Sequence, residues 1–209
     1  MSEIKLVVFD CDGVMFDSRE ANREYYNHIR HHFGRPPMDE EELDYVHMHQ
    51  VNDSIRHLFR DYPAELPAVD RYRQELDYRP FLRFMRMEPD LPRFLDYLRP
   101  RRKTAISTNR TTTMTMVLSI FKLTACFDRV VTAQDVTNPK PHPEALERIM
   151  TDLGVAADQT IYIGDSQVDR DHTAAAGVPL IAFKNSALEA EYHVTSFMEV
   201  IGLPPFQER

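Results

Sequence analysis

Ile4-Lys5-Leu6-Val7-Val8-Phe9-Asp10-Cys11-Asp12-Gly13 decides the fold. Apolar residues run almost unbroken from Ile4 to Phe9, as in a strand covered on both faces. The run stops at two carboxylates two positions apart. If strand geometry persisted, Asp10 and Asp12 would point to the same face, and Gly13 lets the chain turn at once. Two acids this close repel, which raises the pKa of one of them unless a cation sits between them. A metal satisfies that spacing, and so does one ionised acid beside one protonated acid. A solvated strand-to-loop turn is the plain alternative.

Outward from this stretch, short β-type runs fall at 4–9, 104–107, 129–132, 160–163 and 178–183, and helical periodicity at 91–98, 113–123, 143–153 and 169–176. Strand alternating with helix predicts an α/β fold with a doubly wound parallel sheet. Ligands of such sheets bind beyond the carboxyl ends of the strands. Residues 15–87 break the alternation. They hold no convincing strand and read as helices at 18–33, 40–46, 53–61 and 67–87, punctuated by Pro36, Pro37, Pro63 and Pro67. The expectation is a core of residues 1–14 and 88–209, interrupted by an all-helical insertion of residues 15–87. The end of the chain, 202–209 with Pro204 and Pro205, reads as loose.

The 209 residues are 43% apolar and 28% charged, which suits one large domain or a core with an insertion and excludes a disordered chain. A net charge of −8 argues against a nucleic-acid partner, because phosphate-backbone affinity needs Lys and Arg. No apolar run approaches the roughly 18 residues of a membrane span. The opening MSEIKLVVFD reads as a strand rather than a leader. Two cysteines, Cys11 and Cys126, fit a reducing compartment, and Cys11 stands between two acids, which disfavours a thiolate. The expectation is a cytoplasmic protein without a membrane. Of 25 basic residues only five are lysines (5, 103, 122, 140 and 184), so each lysine calls for its own explanation.

Three more polar clusters follow predicted strands. Ser107-Thr108-Asn109-Arg110 offers hydroxyl and amide donors before a helix, an anion cradle or a plain N-cap. Asn138-Pro139-Lys140-Pro141-His142-Pro143 sets a lysine among alternate prolines, which restrict the backbone and favour a fixed charge over a solvated one. Gly164-Asp165-Ser166-Gln167-Val168-Asp169 supplies two acids four residues apart, either hard ligands for Mg²⁺ or a helix cap with an acid in the first turn. All four clusters would converge on one rim of the sheet.

Joined in chain order, the clusters are far more specific than any one of them. Through Asp10-Cys11-Asp12-Gly13, Asp17-Ser18, Thr108-Asn109, Lys140-Pro141-His142-Pro143, Gly164-Asp165-Ser166-Gln167-Val168-Asp169 and Ala174-Ala175-Ala176-Gly177-Val178, nearly the whole chain resembles the haloacid dehalogenase-like superfamily of aspartate-nucleophile phosphohydrolases, in its phosphoglycolate phosphatase-like branch. The resemblance implies a Rossmann-like core with the first and fourth strands adjacent, and a helical cap that chooses the substrate. It implies a Mg²⁺-dependent phosphatase acting on a small phosphate ester such as phosphoglycolate or a sugar phosphate. Asp10 would be the nucleophile, and Asp12 the general acid and then base. Thr108, Asn109 and Lys140 would bind the phosphoryl group. Mg²⁺ would be held by Asp10, the main-chain carbonyl of Asp12, and Asp165, with Asp169 in support.

The second acid separates this chain from the dehalogenases of the superfamily, since a halide leaves without a proton. A phosphomutase on the same core and a non-catalytic scaffold are the alternatives, and the expected state is a monomer or homodimer. In the insertion, Arg30, Arg35, His47, His49, Arg56 and His57 are candidates to meet an anionic substrate, against the plain reading of solvated helix faces. Phe81, Leu82, Phe84, Met85 and Met87 read as packing. Glu88-Pro89-Asp90 stands where relatives often have Pro-Gly.

Overall fold

Among residues 3–207, which the computed structural model describes, eight strands form: β1 (Leu6–Phe9), β2 (Phe16–Asp17), β3 (Arg86–Met87), β4 (Lys103–Ser107), β5 (Arg129–Val131), β6 (Thr160–Gly164), β7 (Leu180–Phe183) and β8 (Tyr192–Val194). The helices are α1 (Arg19–His32), α2 (Glu40–Met48), α3 (Val51–Leu58), α4 (Leu66–Glu75), α5 (Arg79–Leu82), α6 (Leu91–Leu98), α7 (Met114–Ile120), α8 (Glu144–Leu153), α9 (Gln167–Ala176) and α10 (Phe197–Val200). None is long and apolar enough to cross a membrane.

Six strands pair in parallel in the order β5-β4-β1-β6-β7-β8. The chain leaves the centre twice, through β4 to β5 on one side of β1 and through β6 to β8 on the other, which is the doubly wound α/β sheet expected. Both faces are covered, which is why the central strands read as continuous apolar runs. On one face Leu6, Val8, Tyr162 and Leu180 pack with Leu146 and Ile149 of α8. On the other, the Phe9 ring lies 6.1 Å from that of Phe94 in α6 and 5.8 Å from that of Phe197 in α10. α6 follows from its spacing, since Leu91, Phe94, Leu95 and Leu98 recur at helical period and all are buried.

The chain divides into two compact units. Residues up to Phe16 and from Met87 onward form one, and Asp17–Arg86 form the other. The chain passes between them through the two-stranded ribbon of β2 and β3, two short strands at the margins of a stretch that read as wholly helical. The helical unit has its own core, with Tyr25, Ile29, Leu43, Ile55, Phe59 and Val69 at its centre.

Two expectations change. The predicted helix over 67–87 is cut after Glu75. Leu76 leaves helical geometry (ψ 123), Pro80 has no N–H to continue a ladder, and the Asp77 carboxylate accepts from the Arg79 N–H (3.0 Å) instead. The end of the chain is docked rather than loose through residue 207. Phe206 is 1% exposed, its ring is 6.3 Å from that of Phe94, and its carbonyl accepts from the Tyr97 hydroxyl (3.3 Å). Residues 208 and 209 of that segment lie outside the described residues.

Candidate active site

Register builds the site. Phe9 pairs with Ile106 on one side and Ile163 on the other, and β4 and β6 run one residue further, to Ser107 and Gly164, so the three strands end within one residue of each other where strand order reverses. The Asp10 N–H still donates to the Ile163 carbonyl (2.9 Å), which fixes Asp10 at the tip of β1. Lys140 arrives from the loop between β5 and α8, through a cis Lys140–Pro141 peptide. Its Nζ lies 2.9 Å from Asp10 Oδ1 and 2.7 Å from Asp169 Oδ1, with the side chain 4% exposed.

Asp169 is fully buried and does two things. Its Oδ2 accepts from Ser166 Oγ (2.7 Å) and from the N–H groups of Asp165 and Ser166 (both 3.2 Å), completing a capping box at the start of α9. Its Oδ1 accepts from Lys140. The Tyr162 hydroxyl accepts from Lys140 Nζ (3.0 Å) and has one proton to give, with Asp169 Oδ1 and the Ser107 carbonyl both at 3.0 Å.

Asp12 faces a different cation. Arg110 Nε is 2.7 Å from Asp12 Oδ2 and Nη2 is 2.7 Å from Oδ1, a two-bond fork. The spacing of Asp10 and Asp12 suits either a shared cation or an ionised acid beside a protonated one; in the structure Lys140 stands beside Asp10 and Arg110 beside Asp12. Thr108 is buried, its Oγ1 accepting from the Arg110 N–H (3.1 Å) and its N–H donating to the Val131 carbonyl (3.1 Å). Asn109 Nδ2 donates to the Lys140 carbonyl (3.2 Å), tying the loop after β4 to the lysine loop. Beneath them, His172 Nδ1 donates to the His142 carbonyl (2.8 Å), which fixes the tautomer, and Nε2 accepts from Ser107 Oγ (3.0 Å). Burial and then the charge of Lys140 push this imidazole down to about 4, so it is neutral.

The electrostatics follow from two buried aspartates, Asp10 and Asp169, and the half-buried Asp165 around one buried lysine. Burial, against the pull of Lys140 and with the charges of Asp169 and Asp12, pushes Asp10 up to about 7. Burial and the charges of Asp10 and Asp169 push Asp165 up to about 8. Burial alone would also raise Asp169, but Lys140 and its donated hydrogen bonds outweigh that and hold it low. Burial would lower Lys140, but Asp10 and Asp169 keep it well above the ordinary lysine range. Burial, then the charge of Asp12, raises the Cys11 thiol, as its neighbours led us to expect.

One oxygen each from Asp10, Asp165 and Asp169 lies within 4.8 Å of the others. These are hard donors that suit a divalent cation such as Mg²⁺ rather than zinc. Asp169 has both oxygens engaged by donors, so Asp10 and Asp165 are the carboxylates that best fit a cation, and the Asp12 carboxylate stands outside the cluster. The raised Asp10 and Asp165 values make stability pH-dependent. Unfolded, these acids titrate at 3.8; folded, they keep their protons to about 7 and about 8. Over that interval the folded state binds more protons, so stability falls as pH rises. In EDTA the urea midpoint is expected to drop between about pH 5 and about pH 8, and Mg²⁺ to restore it most at the upper end. A midpoint that rises over this range would contradict the charge balance described.

Gly13 closes the turn after Asp12 at φ +78, and a Cβ there would overlap the Asp165 carboxylate. Gly13→Ala strains the backbone by about 1–3 kcal/mol and displaces Asp165. The melting temperature is expected to fall by roughly 2–12 °C, and the stabilisation by Mg²⁺ to be lost. Melts with and without Mg²⁺ test this, and a variant that keeps its Mg²⁺ response would show that the close approach is not needed.

The structure thus brings Asp10, Asp165, Asp169 and Lys140 together, with Thr108 and Asn109 in the loop after β4 and Asp12 held by Arg110. Arg110 and Tyr162 were not singled out from the sequence. A tyrosine inside a strand buried on both faces was the available signal, because its hydroxyl needs a partner; nothing local announces that Arg110 pairs with Asp12. The helical unit's basic candidates are largely engaged within that unit. Arg30 pairs with Glu42 (2.5 Å) and is buried, Arg35 pairs with Glu65 and covers the Tyr62 ring, and Arg56 pairs with Asp53 (3.3 Å). His49 and His57 stack against Tyr45 at 3.8 Å each, and His47 Nδ1 is 3.4 Å from Asn22 Nδ2.

Comparison with known proteins agrees with this geometry. The sequence pattern of haloacid dehalogenase-like hydrolases matches residues 7–183. A haloacid dehalogenase-superfamily hydrolase of subfamily IA, variant 1, from Geobacter sulfurreducens is 40% identical, with 95% of each chain covered and a TM-score of 0.82. Pyrophosphatase PpaX of Oceanobacillus iheyensis is 25% identical over 191 residues, 90% of this chain and 87% of that one. Phosphoglycolate phosphatase of Salmonella typhi is 40% identical over 55 residues, 26% of this chain and 22% of that one. With the match running from β1 through β7, the chain belongs to the haloacid dehalogenase-like hydrolases.

Proposed function

We propose that the chain hydrolyses phosphate monoesters of small metabolites, with Asp10 as the nucleophile. The observation that carries this reading is the buried Lys140 ammonium, 2.9 Å from Asp10 Oδ1, at the point of the sheet where ligands bind. In this reading an Asp10 oxygen attacks phosphorus, the bond from phosphorus to the ester oxygen breaks, and an aspartyl-phosphate forms. Asp12 gives its proton to the departing alkoxide. It then takes one from the water that attacks phosphorus and frees Asp10. The Arg110 fork occupies both Asp12 oxygens, so it opens when Asp12 handles a proton. Thr108 has its hydroxyl proton to donate to a phosphoryl oxygen, Asn109 stands beside it, and Lys140 pairs with both nucleophile and phosphoryl group.

Asp10, Asp165 and the main-chain carbonyl of Asp12 are proposed to hold Mg²⁺, with Asp169 in support through Lys140. When bound, the ion offsets the repulsion between an anionic attacker and an anionic phosphate. The helical unit is read as a cap that selects substrate. Relatives named pyrophosphatase and phosphoglycolate phosphatase support small phosphorylated anions as the substrate class. The test is phosphate release from phosphoglycolate, sugar phosphates and pyrophosphate, with Mg²⁺ and with EDTA. Metal-dependent release is expected. Absence of release from every ester would overturn the reading, and turnover seen only with a bisphosphate primer would replace it with a mutase.

A further inference from the structure

The end of the sheet opposite the aspartates carries the opposite charge. β1 and β4 are parallel neighbours, so their amino ends emerge together, and the Lys103 N–H donates to the Lys5 carbonyl (2.8 Å). α6 finishes at the same end and is followed by Arg99, Arg101 and Arg102. These five cations line an open cavity of about 650 Å³, together with residues 125–128 and 153–155. Two of the chain's five lysines are here, in a chain of net charge −8.

Three of these cations, Arg99, Arg102 and Lys103, are held by main-chain carbonyls. Arg99 donates to the Ala125 carbonyl, Arg102 Nε to the Ile4 carbonyl (3.2 Å), and Lys103 Nζ to the Leu153 carbonyl (2.8 Å). The Arg102 guanidinium also stands over the Phe206 ring at 5.1 Å. A carbonyl fixes the direction of a cation without cancelling its charge. Arg19, Arg23 and Arg35 in the helical unit are instead paired with carboxylates. Asp128 is the acid in the lining, and its Oδ2 accepts from the Thr104 N–H (2.8 Å). The carboxyl end of a helix attracts cations by its dipole, which accounts for Arg99 but not for Lys5, just before β1, or Lys103, the first residue of β4.

We propose that this cavity is a second anion site, remote from the aspartates, that takes a small organic or inorganic phosphate bearing more than one phosphoryl group. Its volume lies within the roughly 300–1,000 Å³ of small-molecule sites, and its cations, Lys5 and four from residues 99–103, are spread along the lining rather than focused on one oxyanion. The proposal does not depend on the phosphatase reading, because its test is binding.

The test follows backbone amides by NMR while methylenebisphosphonate is added in EDTA, to the intact chain and to a Lys5→Gln/Lys103→Gln variant. Shifts at Lys5, Lys103, Thr104, Cys126 and Asp128 are expected. In the variant the dissociation constant should rise about tenfold or more, with turnover unchanged. Shifts confined to Asp10, Thr108 and Asp165 would overturn the proposal, as would binding indifferent to the double substitution. Binding of an acidic peptide but not of the bisphosphonate would also overturn it, in favour of a protein-docking surface.

Discussion

Asp10→Asn is expected to lower phosphate-ester turnover by about 10⁴-fold or more, the scale on which removing a covalent nucleophile acts. The substitution keeps the shape of the side chain and removes a charge that the site holds with difficulty. Asp10 is buried beside Asp165 and Asp169, and its pKa of about 7 means that its ionised form costs stability near neutral pH. Metal-free Asp10→Asn should therefore melt no lower than the parent at about pH 8, while gaining less from Mg²⁺. Inactivity with an intact melt separates chemistry from misfolding. If the variant kept a tenth or more of parental turnover, Asp10 could not be the nucleophile.

Lys140→Met should cost more stability than any other single change at the site. The ammonium is 4% exposed and lies between Asp10 and Asp169, so its removal leaves buried carboxylates without their cation. Breaking a buried pair in this way costs about 3–5 kcal/mol, or roughly 6–20 °C in melting temperature for a chain of this size. The loss should deepen with pH. Without Lys140 the remaining carboxyl groups hold their protons to still higher pH, so the folded state binds more protons than the unfolded over a wider interval and stability falls more steeply. Turnover should drop by at least about 10²-fold, as for other lost electrostatic stabilisers. Urea titrations at the two ends of the interval measure the slope. A pH-independent loss would mean that Lys140 contributes packing rather than charge.

The core was legible because its strands are buried on both faces. Leu6–Phe9 and Thr160–Gly164 are apolar at nearly every position, and their abrupt ends at Asp10 and Asp165 mark the rim. Lys140 stood out because lysine is scarce in this chain and because three prolines surround it. Arg110 could not be assigned, since its partner Asp12 lies 98 positions away and a fork between two loops has no periodicity to reveal it. β8 was missed for a similar reason: Tyr192–Val194 is short, and only Val194 is buried. Pro204 and Pro205 suggested a loose tail, but Phe206 is anchored in a distant aromatic cluster that no local pattern encodes.

The position of β1 has a consequence for how the chain is made. β1 is central in the sheet yet precedes both of its neighbours, since Leu6 pairs with Lys103 and Thr160. At about 5–20 residues per second of synthesis, roughly 5–20 s pass before the first partner strand exists, and longer before the second. Throughout that delay a short apolar strand has two bare edges, the condition under which nascent chains adhere to one another. Asp10 and Asp12 follow it immediately and put repelling charge where the strand stops. Gatekeeping of this kind normally falls to residues with no other task; here it falls to the acids that later meet at the rim of the finished sheet.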